Sequence, residues 1–335
     1  MNPKLNLKNF PVIFPEELTQ INLEDKDSLV GISSFGFGGA NAHVLLSRGK
    51  ANQNYTRTAH EGKKVAFLFT GQGSQYSGMG AKLYESDHTF REEIDACAKI
   101  LENFEEDLAL PFALQSLLFD PEYQSHLSDT RYCQPALFSL EYALVKVWKK
   151  RNIMPSYVMG HSLGEISAAC SAGIFSLEEG LRFTILRARA MAQTPSKNGC
   201  MYAFKCSQFE AANAIEGNIS IAAMNGPDSV TLSGEENDMK KVIENLNGKA
   251  SVRLDVSHAF HSSMMLEAEK EVRNVARSMK FFSPVVPLIS NETGGVLPDV
   301  NINADHWAGL ITKPVQFFRG MQTLREKGCD HFIEI

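Results

Sequence analysis

The chain has 335 residues, of which 44% are hydrophobic and 21% charged, and its formal net charge is −6. This composition is typical of a folded globular protein and argues against a disordered or fibrous chain. An acidic balance gives no support to nucleic-acid binding, which usually shows as a strongly basic face, and no apolar run is long enough to cross a bilayer.

Composition separates the first residues from the rest of the chain. The run 47–62 is polar and holds no large aliphatic residue, so it predicts a linker. We therefore predict a first unit at 1–48, a linker at 49–62 and a main unit from residue 63. The start lacks the apolar core of a signal peptide, and the 6 cysteines show no Cys-x-x-Cys spacing. We expect reduced thiols and a cytoplasmic protein.

The main unit alternates strands and helices. Short apolar runs predict buried strands, and each is followed by a glycine-rich turn. The predicted strands are 65–69 and 156–159, and the predicted helices are 135–150, 165–172 and 177–193. Ser176 and Glu179 have capping-box spacing at the start of the last of these helices. Strand, turn and helix in this order predict an α/β fold.

Between residues 196 and 258 the order of elements becomes β-α-β-β-α-β, which is the ferredoxin-like arrangement. We therefore predict a small ferredoxin-like subdomain at 196–258, inserted into a large α/β subdomain formed by 63–195 and 259–335. Further strand-like runs at 285–289 and 331–335 belong to the large subdomain.

The segment Gly160-His161-Ser162-Leu163-Gly164 has the Gly-x-Ser-x-Gly pattern of a nucleophile elbow. A sharp strand-to-helix turn would expose the serine hydroxyl, and the free N–H groups at the helix start could stabilise an oxyanion. The segment lies between an apolar strand and a helix, as this chemistry requires. That context favours a nucleophile over an ordinary glycine-rich turn.

A serine nucleophile needs a base, and His258 and His261 follow the last strand of the predicted insertion. Either could be an ordinary structural histidine. Half a metal site is a further interpretation, but no acidic or cysteine partner has ligand spacing nearby, so we expect no metal. Asp255, Asp305 or a backbone carbonyl could orient the base.

Arg187 shares one helical face with Phe183, Leu186 and Ala190. A buried cation needs an anion, because an unpaired buried charge is costly. A structural salt bridge, or a guanidinium that reaches water along the protein surface, is the ordinary interpretation. The functional interpretation is a clamp for a substrate carboxylate, whose shape matches the planar guanidinium.

The glycine-rich turn 71–75 does not fit a nucleotide site. Tyr76 stands where the dinucleotide fingerprint needs glycine, and no Gly-Lys-Ser/Thr of a phosphate loop is present. A glycine turn after a strand can instead offer an N–H group to an oxyanion, and Gln72 is the candidate.

Five motifs resemble, in order, those of malonyl-CoA:acyl carrier protein transacylases, and are most similar to the acyltransferase domains of modular polyketide synthases. They are Gly71-Gln-Gly-Ser-Gln75, Gln134-Pro-Ala136, Gly160-His-Ser-Leu-Gly-Glu165, Arg187 and His258-Ala-Phe-His261. The resemblance covers about 63–335. It implies an α/β-hydrolase-like large subdomain that carries an inserted ferredoxin-like small subdomain.

The resemblance also implies roles for individual residues. Ser162 would be the acylated nucleophile, and His261 its base, oriented by a backbone carbonyl near Leu310. The oxyanion would be bound by the N–H groups of Gln72 and Leu163. The residues implied in substrate binding are Arg187 for the free carboxylate, with Asn225, His258 and Phe260 in the acyl pocket. Phe260 is bulky enough to crowd a 2-methyl group, an effect worth about 1–3 kcal/mol in favour of malonyl over methylmalonyl.

The first 48 residues resemble the C-terminal end of a ketosynthase, through the run Ser33-Ser-Phe-Gly-Phe-Gly-Gly-Ala-Asn-Ala-His43. Nothing in the chain resembles the cysteine-bearing motif of that enzyme, so we expect no condensation activity. We expect the chain to be part of a larger multidomain synthase, since the family normally continues beyond residue 335.

The expected reaction loads malonyl from malonyl-CoA onto the phosphopantetheine thiol of an acyl carrier protein, without a metal or redox cofactor. Expected partners are that carrier and the neighbouring ketosynthase, with no nucleic acid and no membrane. A basic cluster could contact an acidic carrier, although such clusters more often stabilise a helix end. Its members are Lys146, Lys149, Lys150 and Arg151.

Three other functions compete with this expectation. A serine hydrolase shares the elbow but releases a free acid, a docking module needs neither Ser162 nor His261, and a transacylase for another acyl group does not need Arg187. The two reactive side chains and the buried arginine together favour malonyl transfer.

Overall fold

The computed structural model describes residues 29–35, 41–47, 63–105, 108–195 and 198–335. The chain divides into two compact units, Met1–Ala59 and His60–Ile335. In the first unit, strands β1 (Leu29–Phe35) and β2 (Asn41–Ser47) pair antiparallel. The predicted linker at 49–62 lies outside the described residues.

The second unit contains the remaining strands and helices. In chain order, its strands are β3 (Lys64–Phe69), β4 (Tyr157–Gly160), β5 (Gly199–Phe204), β6 (Ile219–Gly226), β7 (Ser229–Glu235), β8 (Ser251–Arg253), β9 (Leu288–Ile289) and β10 (Cys329–Glu334). Its helices are α1 (Ala81–Ser86), α2 (His88–Glu102), α3 (Leu114–Phe119), α4 (Thr130–Lys150), α5 (Gly164–Ser171), α6 (Leu177–Gln193), α7 (Gln208–Ala214), α8 (Glu236–Asn245), α9 (Leu266–Arg277), α10 (Ala304–Gly309) and α11 (Phe317–Glu326). Short 3₁₀ helices lie at Pro121–Ser128, Ser263–Met265 and Asp299–Asn301.

The first sheet of this unit is parallel, in the order β10-β3-β4-β9. Strands β3 and β4 are nearly continuous apolar runs, which suits strands whose two faces are both covered. Phe67, Val158 and Met159 are fully buried there. The α/β fold expected from the alternating elements is therefore present, and β4 leads directly into the predicted elbow.

The second sheet is antiparallel, in the order β6-β7-β5-β8, and it has its own apolar core with α7 and α8. The element order β5-α7-β6-β7-α8-β8 is the predicted ferredoxin-like order. Leu232 and Met239 are fully buried in this core. The small subdomain thus folds around side chains separate from those that bury the parallel sheet.

Helix α4 begins earlier than predicted. Pro135 was expected at its start, but the helix begins at Thr130, where the Asp129 carboxylate accepts a hydrogen bond from the Arg131 N–H. Pro135 is the sixth residue of the helix, beyond its four free N–H groups, so the helix lacks the hydrogen bond that another residue would donate there to the Arg131 carbonyl. An acidic cap therefore defines this end of α4, and proline does not.

The antiparallel sheet is joined to the large subdomain beside the candidate site. Ala223 of β6 forms a parallel bridge with Val315, which follows α10. The Met224 N–H donates to the Val315 carbonyl at 2.9 Å, and the Val315 N–H donates to the Ala222 carbonyl at 2.8 Å. This join fixes the end of β6, and with it Asn225, relative to the large subdomain.

Among the described residues, none of the helices has the length and apolar character needed to span a membrane.

Candidate active site

Ser162 lies in the sharp turn between β4 and α5, with a backbone φ of 54°. A Cβ added to Gly160 would approach the Glu165 N to 2.0 Å, and one added to Gly164 would approach the Thr70 O to 2.3 Å. Only glycine fits both positions. The left-handed conformation of a non-glycine residue costs about 1–3 kcal/mol, which the surrounding structure has to offset.

His261 faces Ser162 across the site. Its Nε2 lies 2.8 Å from the Ser162 Oγ, and its Nδ1 lies 2.9 Å from the Lys313 carbonyl. Because a carbonyl can only accept, Nδ1 carries the proton, and Nε2 is left to accept the serine hydroxyl. The backbone N–H of His261 also donates to the Ile311 carbonyl at 2.9 Å. The tautomer is therefore the one a general base requires.

The expectation that a carbonyl near Leu310 orients the base was wrong by three residues. Leu310 caps the end of α10, and the N–H groups of Thr312 and Lys313 both return to the Gly309 carbonyl. That turn places the Lys313 carbonyl against the imidazole. The alternative orienting group Asp305 is paired with Arg273 instead.

Burial controls the protonation of His261. Loss of solvent lowers the pKa of the imidazole to about 3, although the hydrogen bond to Lys313 opposes that shift. The positive charge of Arg187 lowers the same pKa further. His261 is therefore neutral at physiological pH and free to accept a proton.

The predicted oxyanion donors lie in the two adjoining turns. A Cβ on Gly71 would approach the His161 carbonyl oxygen to 2.6 Å, so the turn after β3 contacts the elbow directly. Within the described residues, the backbone N–H groups of Gln72 and Leu163 have no hydrogen-bond acceptor. The Gln72 side chain is held by Thr130, whose Oγ1 accepts from Nε2 at 3.0 Å.

Arg187 is 1% exposed in the middle of α6. Its Nη1 donates to the Gln134 Oε1 at 2.6 Å. Its Nε has no partner, and no carboxylate pairs with the guanidinium in the part of the chain that the structure describes. Burial lowers its pKa to about 10, so the side chain remains charged at neutral pH. Among the described residues, an internal salt bridge of Arg187, the ordinary interpretation, is therefore excluded.

The remaining predicted pocket residues are held in place by hydrogen bonds and stacking. His258 lies 3.1 Å from the Thr194 carbonyl through Nε2, and its ring stacks on Phe260 with centroids 5.8 Å apart. The Asn225 Oδ1 lies 2.9 Å from the Nε2 of His161. Asn225 thus contacts His161, the residue next to Ser162, and lies against the elbow.

Sequence reasoning missed Asn291, whose side chain forms two hydrogen bonds with the backbone of the elbow. Its Oδ1 accepts from the Ser162 N–H at 2.7 Å, and its Nδ2 donates to the Gly160 carbonyl at 2.8 Å. One signal could have found it. Asn291 follows a strand that neighbours β4, and the carboxyl ends of adjacent parallel strands meet at one edge of a sheet.

The basic cluster at the end of α4 is largely occupied by internal contacts. Lys146 lies 3.8 Å from a Glu93 carboxylate oxygen, and Arg151 lies 3.0 Å from one of Asp87. The Lys149 Nζ donates to the Ser171 carbonyl at 3.3 Å. These contacts favour a helix-end role for the cluster. Across the described ranges, no group of three or more metal-binding side chains is gathered.

Comparisons with known protein families place these residues in context. Residues 66–335 match the family described as acyl transferase domain, and residues 2–107 match the ketoacyl-synthetase C-terminal extension. The second match extends beyond residue 48 and through the predicted linker. It confirms the resemblance of the N-terminal residues to a ketosynthase-associated segment.

Curated relatives and solved structures agree with these matches. Polyketide synthase GfsA of Streptomyces halstedii is 34% identical over 281 residues, covering 82% of this chain and 4% of that protein. The PKS-NRPS hybrid synthetase ATPKS of Aspergillus niger is 35% identical and covers 81% of this chain and 15% of that protein. The chain thus spans a small part of the relatives it matches.

Among solved structures, the acyltransferase domain from the second module of the salinomycin polyketide synthase has a TM-score of 0.75 at 34% identity, covering 81% of this chain and 63% of that one. The malonyl CoA-acyl carrier protein transacylase from Clostridium perfringens has a TM-score of 0.75 at 26% identity, covering 81% and 86%. These neighbours confirm the predicted fold class.

Proposed function

Because the chain belongs to the acyl transferase domain family, we propose that it moves a malonyl group from malonyl-CoA, through an ester of Ser162, to the phosphopantetheine thiol of an acyl carrier protein. One observation carries the choice of malonyl: Arg187 is buried and charged, and no described residue supplies its counter-ion. A buried cation is costly until an anion joins it, and the free carboxylate of malonyl would be that anion.

The first half of the reaction forms the ester. The Nε2 of His261 takes the proton of the Ser162 hydroxyl, 2.8 Å away, as Oγ attacks the thioester carbonyl. The oxyanion is bound by the unpartnered N–H groups of Gln72 and Leu163. The carbon–sulfur bond then breaks, and His261 returns its proton to the departing CoA sulfur.

The second half repeats these steps in reverse. The carrier thiol gives its proton to His261, and its sulfur attacks the ester carbonyl. The carbon–oxygen bond breaks, and the Ser162 oxygen recovers the proton. Support for a carrier as acceptor comes from a solved complex of a type II PKS acyl-carrier protein with its malonyl-transacylase, whose TM-score is 0.74 at 25% identity. Neither half of the proposed reaction requires a metal or a redox group.

Two of the residues that we propose for the acyl pocket, His258 and Phe260, bear on the shape of the acyl group. His258 and Phe260 stack on each other, and both are buried. A ring held on one face by a buried histidine cannot move aside freely, because a packed interior tolerates little displacement. We therefore propose that Phe260 disfavours a methyl group at carbon 2 of the extender.

The setting of the reaction follows from the N-terminal residues and the cysteines. A ketosynthase-associated segment in the same chain makes a ketosynthase the proposed neighbour. The 6 cysteines are free thiols, 5 of them buried, which suits the reducing cytoplasm. We propose that the protein works there as one part of a larger synthase.

The proposal is tested by giving the purified chain malonyl-CoA and pantetheine, and measuring malonyl-pantetheine and free malonate together. We expect malonyl-pantetheine as the main product and none from Ser162→Ala. Free malonate as the main product would indicate a hydrolase. Equal rates with acetyl-CoA would indicate a transacylase without carboxylate selection, and no turnover of either thioester would indicate a docking module.

A further inference from the structure

We infer that Asn291, Glu165 and His306 form a positioning network that holds the backbone of Ser162 and links it to the carbonyl that orients His261. This inference deepens the proposed function and rests on Ser162 and His261 being the reacting pair. None of the three residues contacts the reacting atoms, so each acts through the pair.

The network begins at the strained turn. The Asn291 side chain bridges the backbone on both sides of His161, accepting from the Ser162 N–H and donating to the Gly160 carbonyl. These two bonds bind the residue that has a positive φ and the glycine before it. An amide that both accepts and donates is required, and neither aspartate nor leucine offers that pair.

Asn291 is in turn fixed by a buried ion pair. The backbone N–H of Asn291 donates to one carboxylate oxygen of Glu165 at 2.6 Å. The other carboxylate oxygen lies 2.8 Å from the His306 Nε2. Glu165 is fully buried on α5, and His306 is 5% exposed on α10. The pair therefore joins the helix that follows the elbow to the helix that precedes the base-orienting turn.

The network returns to the base through that turn. The His306 Nδ1 lies 3.8 Å from a Glu292 carboxylate oxygen, and Glu292 accepts a hydrogen bond from the Lys313 Nζ. The carbonyl of the same Lys313 accepts from His261. Ser162 and His261 are thus connected directly at 2.8 Å and also by a closed path of hydrogen bonds and ion pairs behind the site.

The charge of His306 holds this path together. Burial alone would lower its pKa, but the hydrogen bond to Glu165 and the nearby Glu292 carboxylate raise it to about 9. Those two carboxylates face it from α5 and from the segment after β9. From the neighbouring helix α9, Arg273 is already paired with Asp305 and Glu269. His306 is therefore an imidazolium at neutral pH, and its deprotonation would leave two carboxylates without their shared partner.

The test measures the reactivity of Ser162 with a fluorophosphonate, which reports the serine–histidine pair without requiring malonyl. For His306→Gln we expect labelling at pH 7 to slow about 10- to 100-fold, because small displacements of reacting groups have effects of that size. His88→Gln removes an exposed His–Glu pair at the start of α2 and should label at the wild-type rate. Circular dichroism establishes that each variant is folded.

The pH profile separates positioning from a structural role. We expect wild-type labelling to fall as the pH rises through about 9, and His306→Gln to lack that fall. In malonyl transfer, the same variant should lower kcat with little change in KM. Glu165→Gln, which keeps an oxygen for the Asn291 N–H, should retain more activity than Glu165→Leu. If His306→Gln does not fold, the wild-type profile and the two Glu165 variants still decide the matter.

Wild-type labelling that stays level through pH 9, or His306→Gln labelling at the wild-type rate, would overturn the inference. A wild type that is not labelled at any pH would overturn it as well. If the wild type is labelled but does not transfer malonyl, the proposed substrate is wrong, and the comparison among the variants still tests the network.

Discussion

The candidate site has a reacting end, around Ser162 and His261, and a second end around Arg187. The two ends differ in how many of their polar groups have hydrogen-bond partners within the protein. Around Ser162 and His261, both ring nitrogens and the serine backbone N–H have partners within the protein. At the other end, Arg187 has one hydrogen bond, to Gln134, and its Nε has none. The first region is hydrogen-bonded before substrate arrives, and we propose that the carboxylate of the substrate completes the second.

This difference has an energetic side. Burial lowers the pKa of Arg187 to about 10, because removing the guanidinium charge from water is unfavourable by on the order of a few kcal/mol. The folded protein bears that cost without a ligand, and a bound carboxylate would relieve it. The proposed selectivity for a carboxylated acyl group would thus depend on an arginine whose burial destabilises the ligand-free fold.

The largest effect is expected at the reacting end. His261→Ala removes the base and leaves the oxyanion donors in place, so we expect acyl transfer to fall about 10⁴-fold or more. Initial rates with malonyl-CoA and pantetheine measure the loss, and unfolding curves show that the variant is folded. A loss below about tenfold would mean that another group accepts the serine proton.

The second effect sharpens the contrast between the two ends. Arg187→Met should lower malonyl transfer about 10²- to 10³-fold while acetyl transfer changes little, because only malonyl offers a carboxylate to the buried cation. The same change should leave thermal stability equal or higher, since a buried unpaired charge is replaced by an apolar side chain.

Arg182→Met provides the matched control for that experiment, because Arg182 lies exposed on the same helix. It should alter neither selectivity nor stability. Equal losses of malonyl and acetyl transfer in Arg187→Met would contradict the clamp.

The third effect concerns the free energy of unfolding and arises from His306, in the network behind Ser162 and His261. The pKa of His306 is raised from 6.5 in the unfolded chain to about 9 in the folded one. Its contribution is therefore complete below pH 6.5 and is lost as the pH rises through 9. The free energy of unfolding should fall by up to about 3 kcal/mol over that range. Urea unfolding at several pH values checks this, and His306→Gln should show a flatter dependence.

The smallest effect is expected in the acyl pocket. Phe260→Ser should improve transfer of methylmalonyl relative to malonyl by about 5- to 150-fold, since one methyl group is worth about 1–3 kcal/mol in such a pocket. Competition between the two CoA esters measures the ratio directly. Phe209→Ser, at a residue that is 75% exposed, should leave the ratio unchanged. An unchanged ratio in Phe260→Ser would remove this residue from the proposed selectivity.

The sequence predicted what is encoded locally. The elbow around Ser162 lies within a few residues, and the alternation of strands and helices gave both subdomains. Arg187 was recognised because a charge on an apolar helical face demands a partner. The helix cap at Asp129 was missed because Pro135 was the stronger visible signal.

What the sequence could not predict depends on distant contacts. Asn291 meets Ser162 across 129 positions, and His306 meets Glu165 across 141. The orienting carbonyl of Lys313 carries no side-chain signature, and the family resemblance placed it three residues too early, near Leu310. Backbone acceptors and buried ion pairs between separate helices become visible only when the chain is folded.

The most direct test of the account is the intact mass of the protein after brief exposure to malonyl-CoA without any acceptor thiol. We expect the wild type to gain the mass of one malonyl group and Ser162→Ala to gain none. A malonyl adduct on Ser162→Ala, or turnover of malonyl-CoA by the wild type with no adduct at any time, would contradict the acyl-serine mechanism.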